Sequence, residues 1–268
     1  MNTSALPLEE AHALDPGFYT SQRTYDFEME RVIRASWQVI APASLVRDAG
    51  DVIARQLGDV PVIVLRLPTG ELQGFYNICP HRAGPLARCD ARGLKSLRCG
   101  YHGWTYGLDG KLKAAPEMKE AAGFSKEDIR LTPIDVKEWN GVVLARAGEG
   151  PSFSEVFAGI DEIVGGGLEG VVHHTSIVYD VRSNWKIYAD NYLEGYHLPF
   201  VHPGLTNVVD YGEYTTQLGT WWSLQRSPVD EDCGAYAAGE GLYFFIHPNT
   251  MLNIMPGRLQ TNRIVPTG

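Results

Sequence analysis

The sequence predicts an α+β chain of two successive units, the first all-β and the second built from antiparallel strands around one helix. Three observations predict it. Between Trp37 and about Arg146, short β-prone runs alternate with turn residues. A helix-period stretch then covers Asn184 to His197. After Thr215, short β segments return, among them Leu242 to His247. The resulting division is an arm and helix over 1–36, a β-rich domain over 37–150, and the N-terminal part of a second domain over 165–268.

Residues 1 to 20 lack periodicity and read as an arm, and from Thr24 to Arg34 the apolar positions Phe27, Val32 and Ile33 suit a short helix. Val52–Arg55, Val60–Arg66 and Leu72–Asn77 read as strands, the last two separated by Pro68-Thr69-Gly70. Leu108-Asp109-Gly110-Lys111 is a hairpin signal, because Asp-Gly supplies positive φ angles. A strand over Gly141–Ala147 closes the unit. Residues 148 to 170 hold a short helix and the run Gly165-Gly166-Gly167, which marks the boundary. Val171–Asp180 reads as a strand, and Asn184 as the N-cap of the helix that follows.

Composition narrows the function. The 268 residues are 44% hydrophobic and 21% charged, ordinary for a soluble globular chain. A formal net charge of −9 argues against nucleic-acid partners and against an anionic membrane face. The longest apolar run, Val60–Leu65, is too short to span a bilayer, and Glu9 and Glu10 stand where a signal core would lie, so a cytoplasmic home is expected. The four cysteines are Cys79, Cys89, Cys99 and Cys233; without a secretory context, metal binding is the better reading for those beside a histidine. Cys89 and Cys233 read as free thiols.

Two constellations carry the chemistry. Cys79-Pro-His81 is followed after seventeen residues by Cys99-Gly-Tyr-His102. Two such loops face to face give a Cys₂His₂ set, suited to a [2Fe–2S] centre with two thiolates on one iron and two imidazoles on the other, or to a zinc ion. Zinc ribbons usually open with Cys-x₂-Cys, which is not the pattern here. The second constellation is Asp190-Asn191-Tyr-Leu-Glu194-Gly-Tyr-His197-Leu-Pro199-Phe-Val-His202. Spacings of four and three put Asp190, Glu194 and His197 on one helix face. Pro199 should end the helix near His197, letting His202 swing back toward it. Two imidazoles with a carboxylate suit non-haem iron.

Together these motifs resemble the Rieske non-haem iron oxygenases, in their α (oxygenase) subunit. Cys79-Pro-His81-Arg82 and Cys99-Gly-Tyr-His102-Gly103-Trp104-Thr-Tyr106 are similar to the two cluster-binding loops, and the 184–203 string to the mononuclear-iron segment. The resemblance implies a helix-grip catalytic domain after the Rieske domain. It implies Cys79, His81, Cys99 and His102 as cluster ligands, and His197 and His202 as ligands of mononuclear Fe(II). Glu194 matches the acid that links that iron to a Rieske histidine of the neighbouring subunit, Asn191 a residue close to the iron, and Asp190 stands beside it. The family's partners follow: O₂, a small substrate, and a flavin or iron–sulfur reductase passing electrons from NAD(P)H, in a homotrimer. Glu194, where most members have Asp, looks like the choline, glycine betaine and carnitine monooxygenases and stachydrine demethylase.

The family's third iron ligand is an Asp far beyond the histidine pair, so the resemblance leads one to expect a catalytic domain that continues past Gly268. Trp221, Trp222, Tyr236, Tyr243, Phe244 and Phe245 are candidates for an aromatic cage around a trimethylammonium group, or for the core of a sheet. The expected reaction is hydroxylation or N-demethylation of a quaternary ammonium compound. An aromatic substrate, and a pure Rieske electron carrier, are the alternatives.

Overall fold

A computed structural model describes residues 10, 12–201, 211–229 and 239–267. The helix expected over Thr24–Arg34 starts earlier and changes character. Helices α1 (Gly17–Thr20) and α2 (Gln22–Glu28) are followed by a π-helical turn over Met29–Ile33. Part of the expected arm is therefore ordered. Ser21 caps α2 by accepting from the Thr24 amide.

The β-rich unit holds nine strands: β1 (Gln38–Pro42), β2 (Val52–Leu57), β3 (Val60–Arg66), β4 (Leu72–Tyr76), β5 (Leu97–Arg98), β6 (Thr105–Tyr106), β7 (Leu112–Ala114), β8 (Pro133–Trp139) and β9 (Val142–Arg146). Six form an antiparallel sheet in the order β1-β9-β8-β4-β3-β2, and β5-β6-β7 form a small second sheet. The Asp109-Gly110 hairpin joins β6 to β7, but only Gly110 of that pair has positive φ, and Asp109 Oδ1 instead accepts from the Lys111 amide. The tight two-residue turn lies elsewhere. Asn140 and Gly141, with φ of 43° and 78°, connect β8 to β9, as the twist of a short hairpin demands.

The connector 148–170 is packed into the core. It carries α3 (Phe153–Val156) and α4 (Ile160–Val164). Ser152 and Glu155 form a reciprocal capping box at the start of α3. Three tryptophan indoles clamp the connector: Trp37 donates to the Pro151 carbonyl, Trp139 to Asp161 Oδ1 at 2.6 Å, and Trp222 to the Ala158 carbonyl. One hydrophobic cluster joins Trp37, just ahead of β1, Val39 and Leu144 of the first sheet, Phe157 and Ile160 of the connector, and Leu224, Phe244 and Leu252 of the second unit.

The expected strand Val171–Asp180 does not form. The segment has no strand assignment, and Val172, Ile177, Val178 and Tyr179 are exposed. β-prone residues become a strand only when a neighbour supplies the ladder, and among the described residues no strand pairs with this one.

Helix α5 (Trp185–Tyr192) follows, capped by Asn184 through the Lys186 amide as expected. It is five residues shorter than the sequence indicates, and α6 (Leu198–Val201) begins after a loop. Pro199 does not end the first helix. It sits in the first turn of the second, where its missing N–H costs nothing. The sheet β10 (Thr215–Leu218), β11 (Trp222–Val229), β12 (Gly239–Ile246), β13 (Thr250–Met255) and β14 (Arg258–Arg263) is antiparallel in chain order. Its core face carries Trp222, Leu224 and Phe244; the face beneath α5 carries Phe245 and Met251 with Ala189 packed on them.

Candidate functional site

Two loops hold the first constellation, and they are built alike. The Cys79 amide donates to the Gly84 carbonyl, and the Ala83 amide returns to the Cys79 carbonyl. The Cys99 amide donates to the Trp104 carbonyl, and the Gly103 amide returns to the Cys99 carbonyl. In each loop the fifth residue has positive φ, 55° at Ala83 and 72° at Gly103. The loops thus present Cys79 and Cys99 in equivalent places, both buried. The histidines lie further along, His81 half-buried and His102 exposed, with ring centroids 4.6 Å apart.

That division bears on which group fits. Buried thiols beneath and imidazoles above match the divided ligand set of a Rieske [2Fe–2S] cluster. Space is kept for it. A Cβ on Gly84 would lie 2.9 Å from Cys99 Sγ and 3.0 Å from Tyr101 Cβ.

The surroundings tune these ligands. Tyr106, fully buried, lies with its hydroxyl 3.1 Å from Cys79 Sγ. Burial, then the bond to Cys79, pushes its pKa well up, so the phenol keeps its proton and donates to the sulfur. Trp104 stacks on the His81 ring, centroids 4.6 Å apart and planes within 4°. Desolvation, then the His102 and Arg82 charges, lower the His81 pKa, which favours the neutral imidazole that a metal needs.

The second constellation is assembled by the loop after α5 rather than along a helix face. His197 Nδ1 lies 2.5 Å from Glu194 Oε1, and the His197 amide donates to Glu194 Oε2. The Asn191 amide nitrogen is 3.3 Å from His197 Nε2. Glu194, His197 and Asn191 therefore meet through this loop, whereas spacing along the sequence groups Asp190 with Glu194 and His197. Asp190 is engaged elsewhere: its Oδ2 accepts from the Tyr19 hydroxyl at 2.7 Å. His202 lies outside the described residues, as do Cys233 and Tyr236. Cys89 is exposed and free.

The aromatic candidates divide between faces. Trp222 and Phe244 belong to the core, while Phe245 packs beneath α5 and Tyr243 shares its face by strand alternation. Trp221 lies at the edge of the core, its ring 6.2 Å from that of His247. The sequence reading passed over Gln225, Asn253 and the pair Glu28–Lys186. All act over long separations and leave no local signal. Tyr106 and Trp104 were visible within their motif, but their roles needed the packing.

Fold and site define a two-centre metalloprotein, with a Rieske domain ahead of a second domain that carries a histidine–carboxylate loop. Comparison with known proteins agrees region by region. Residues 36–135 match the Rieske [2Fe-2S] domain, and residues 168–268 match the ring hydroxylating alpha subunit (catalytic domain). The chain is 33% identical to the chloroplastic choline monooxygenase of Arabidopsis thaliana, over 98% of this chain and 66% of that protein. It is 30% identical to the carnitine monooxygenase oxygenase subunit of Escherichia coli K12, over 92% of this chain and 69% of that protein. A crystal structure of a quaternary ammonium Rieske monooxygenase superposes with a TM-score of 0.84 at 28% identity, covering 93% of this chain and 70% of that one. The chain belongs to the Rieske family of ring-hydroxylating α subunits, and it spans about two thirds of the length of these relatives.

Proposed function

We propose that this chain is the iron-bearing oxygenase component that hydroxylates or N-demethylates a small quaternary ammonium compound with O₂. The observation that carries the reading is the Glu194–His197–Asn191 cluster downstream of two matched Cys–His loops. When bound, a Rieske cluster supplies single electrons and a mononuclear iron supplies O₂ activation.

The chain's own residues prepare both sites. Cys79 and Cys99 keep their sulfurs dry, with Tyr106 donating to one of them. His102, exposed on its loop, offers the edge through which an electron donor or a neighbouring subunit is reached. Glu194 accepts a hydrogen bond from Nδ1–H of His197 and so holds that tautomer, which directs the Nε2 lone pair to a metal, with the Asn191 amide beside it. We assign His202 as the companion ligand and, within Rieske-oxygenase logic, a homotrimer in which His102 of one chain meets Glu194 of the next. Electrons come from NAD(P)H through a separate flavin or iron–sulfur reductase. A cytoplasmic home accords with kinship to the bacterial carnitine monooxygenase subunits. Kinship with proteins named for choline and carnitine supports the substrate class. Among the described aromatics we assign Tyr243, half-buried on the sheet face beneath α5, to the contact with a trimethylammonium group.

The test is to express the chain anaerobically with iron and sulfide and to quantify both. A red-brown protein with two irons and two sulfides per chain is expected; a third iron that His197→Ala removes would mean that a carboxylate within these residues, or water, completes the second site. A colourless protein containing zinc overturns the reading. Substrate class is tested by titrating choline and carnitine against a neutral tert-butyl analogue. The cation should bind better by about 2 kcal/mol.

A further inference from the structure

The point at which α5 unwinds frees the His197 amide to donate to Glu194, and the residues of its last turn do not by themselves set that point. Tyr192, Leu193 and Glu194 are all compatible with another turn. The explanation lies in the sheet beneath. Gln225 on β11 is almost fully buried, and its Nε2 donates to the Tyr192 carbonyl at 2.6 Å. That carbonyl belongs to the last residue of α5, one of the groups a helix end leaves unpaired. Gln225 Oε1 in turn accepts from the Tyr214 hydroxyl. The Tyr214 ring covers Gly195 so closely that a Cβ there would lie 2.6 Å from its Cζ. On the other side, the Tyr192 hydroxyl donates to Asn253 Oδ1 of β13 at 2.5 Å.

These contacts form one frame. The amide of Gln225 has both ends used, one on the helix terminus and one on the tyrosine that roofs the loop. Asn253 anchors the side chain of the same terminal residue. The frame pins the chain at Tyr192 and again at Gly195, on either side of Glu194. Between these points Glu194 turns back to meet the ring and backbone of His197.

We propose that Gln225 is a positioning residue for the metal loop: by capping the Tyr192 carbonyl and orienting Tyr214 over Gly195, it sets the break that frees the His197 amide for Glu194 and fixes the angle at which the two side chains meet. The inference rests on the proposed mononuclear-iron reading for its metal arm alone. Gln225→Met keeps the volume and removes both polar contacts. Tyr214→Phe is the milder second variant, removing only the hydroxyl.

Two readouts on the full chain separate the outcomes. Hydrogen exchange over 186–200 should quicken in Gln225→Met, with the gain confined to Leu193–Leu198 and the Trp185–Ala189 amides unchanged. Tyr214→Phe should show a smaller change in the same place. Co(II) binding followed by its visible bands, with the Rieske absorbance as internal control, should weaken by about 10- to 100-fold in Gln225→Met. Unchanged exchange in Leu193–Leu198 overturns the proposal, as does a loss spread evenly over the whole domain. If exchange responds as stated and the parent itself takes up no Co(II), the positioning role stands and the iron-site reading fails.

Discussion

In the loops that begin at Cys79 and Cys99, the closing hydrogen bonds join residues no more than five apart. The segment bearing Asn191, Glu194 and His197 is held instead by partners as distant as Glu28 and Asn253. The backbone of each cluster loop closes on itself and the two loops then pack on each other, whereas the second site is positioned by the fold around it. Glu28 shows the second style most clearly. Its carboxylate, buried at the end of α2, takes the Lys186 ammonium at 2.8 Å and the Trp185 indole N–H at 2.9 Å. Tyr19 adds two further ties, to Asn184 through its carbonyl and to Asp190 through its hydroxyl. The N-terminal helices thus clamp α5 from outside while Gln225 and Asn253 hold it from below.

The largest effect that tests this contrast is loss of the cluster. Cys99→Ser should abolish the visible absorbance and the acid-labile sulfide. If the loops are self-contained, hydrogen exchange over 186–200 stays as in the parent. A coupled loss of protection in α5 would show that the two regions are not independently specified.

Next in size is the clamp. Removing one member of a buried ion pair strands the other, at a cost of about 3–5 kcal/mol. Glu28→Leu should show this in urea unfolding, and also strips the Trp185 indole of its acceptor. The double variant Glu28→Leu/Lys186→Met should recover much of the loss, because no charge is left buried. Equal losses for single and double variants would mean that the contact matters as packing and not as a pair.

A third comparison works inside the first region. Gly84→Ala pushes a methyl group against Cys99 Sγ, and overpacking of this kind costs about 1–3 kcal/mol. Gly100→Ala, one residue past the same cysteine, meets nothing within 4 Å. Iron and sulfide per chain should fall in Gly84→Ala and hold in Gly100→Ala. Equal retention would show that the cradle is looser than its geometry.

The same contrast governs what could be read from the sequence. The strands Val60–Arg66 and Leu72–Tyr76 and the paired Cys–His loops were legible because their signals are local: alternation, turn chemistry, ligand spacing. Asn140-Gly141 was equally legible and was passed over for Asp109-Gly110, the weaker of the two turns. The end of α5 was not legible. Pro199 is a helix breaker in sequence, but the break was made earlier by a side chain thirty-three residues downstream. Val171–Asp180 reads as a strand from its own residues, yet strand formation needs a partner that local pattern does not contain. Asp190 shared a helical spacing with Glu194, and the spacing lost its meaning once the helix ended between them.

Asp190 carries the smallest prediction, and it concerns the outer clamp. The Tyr19 hydroxyl donates to its carboxylate, and that hydrogen bond, followed by desolvation and the carboxylate's charge, raises the pKa of Tyr19. A phenol whose folded pKa is raised contributes stability that is fully present below its unfolded pKa, about 10. The contribution is lost as pH rises through the higher folded value. The bond is on the surface, so Tyr19→Phe should cost only about 0.5–1 kcal/mol near neutrality. Urea unfolding of parent and variant at pH 8 and again at pH 11 checks both size and sign. The gap between them should narrow at pH 11, because there the parent's phenol begins to ionise beside a carboxylate. A gap that stays constant would make Tyr19 a packing contact, and would leave the Glu28–Lys186 pair as the outer restraint on α5.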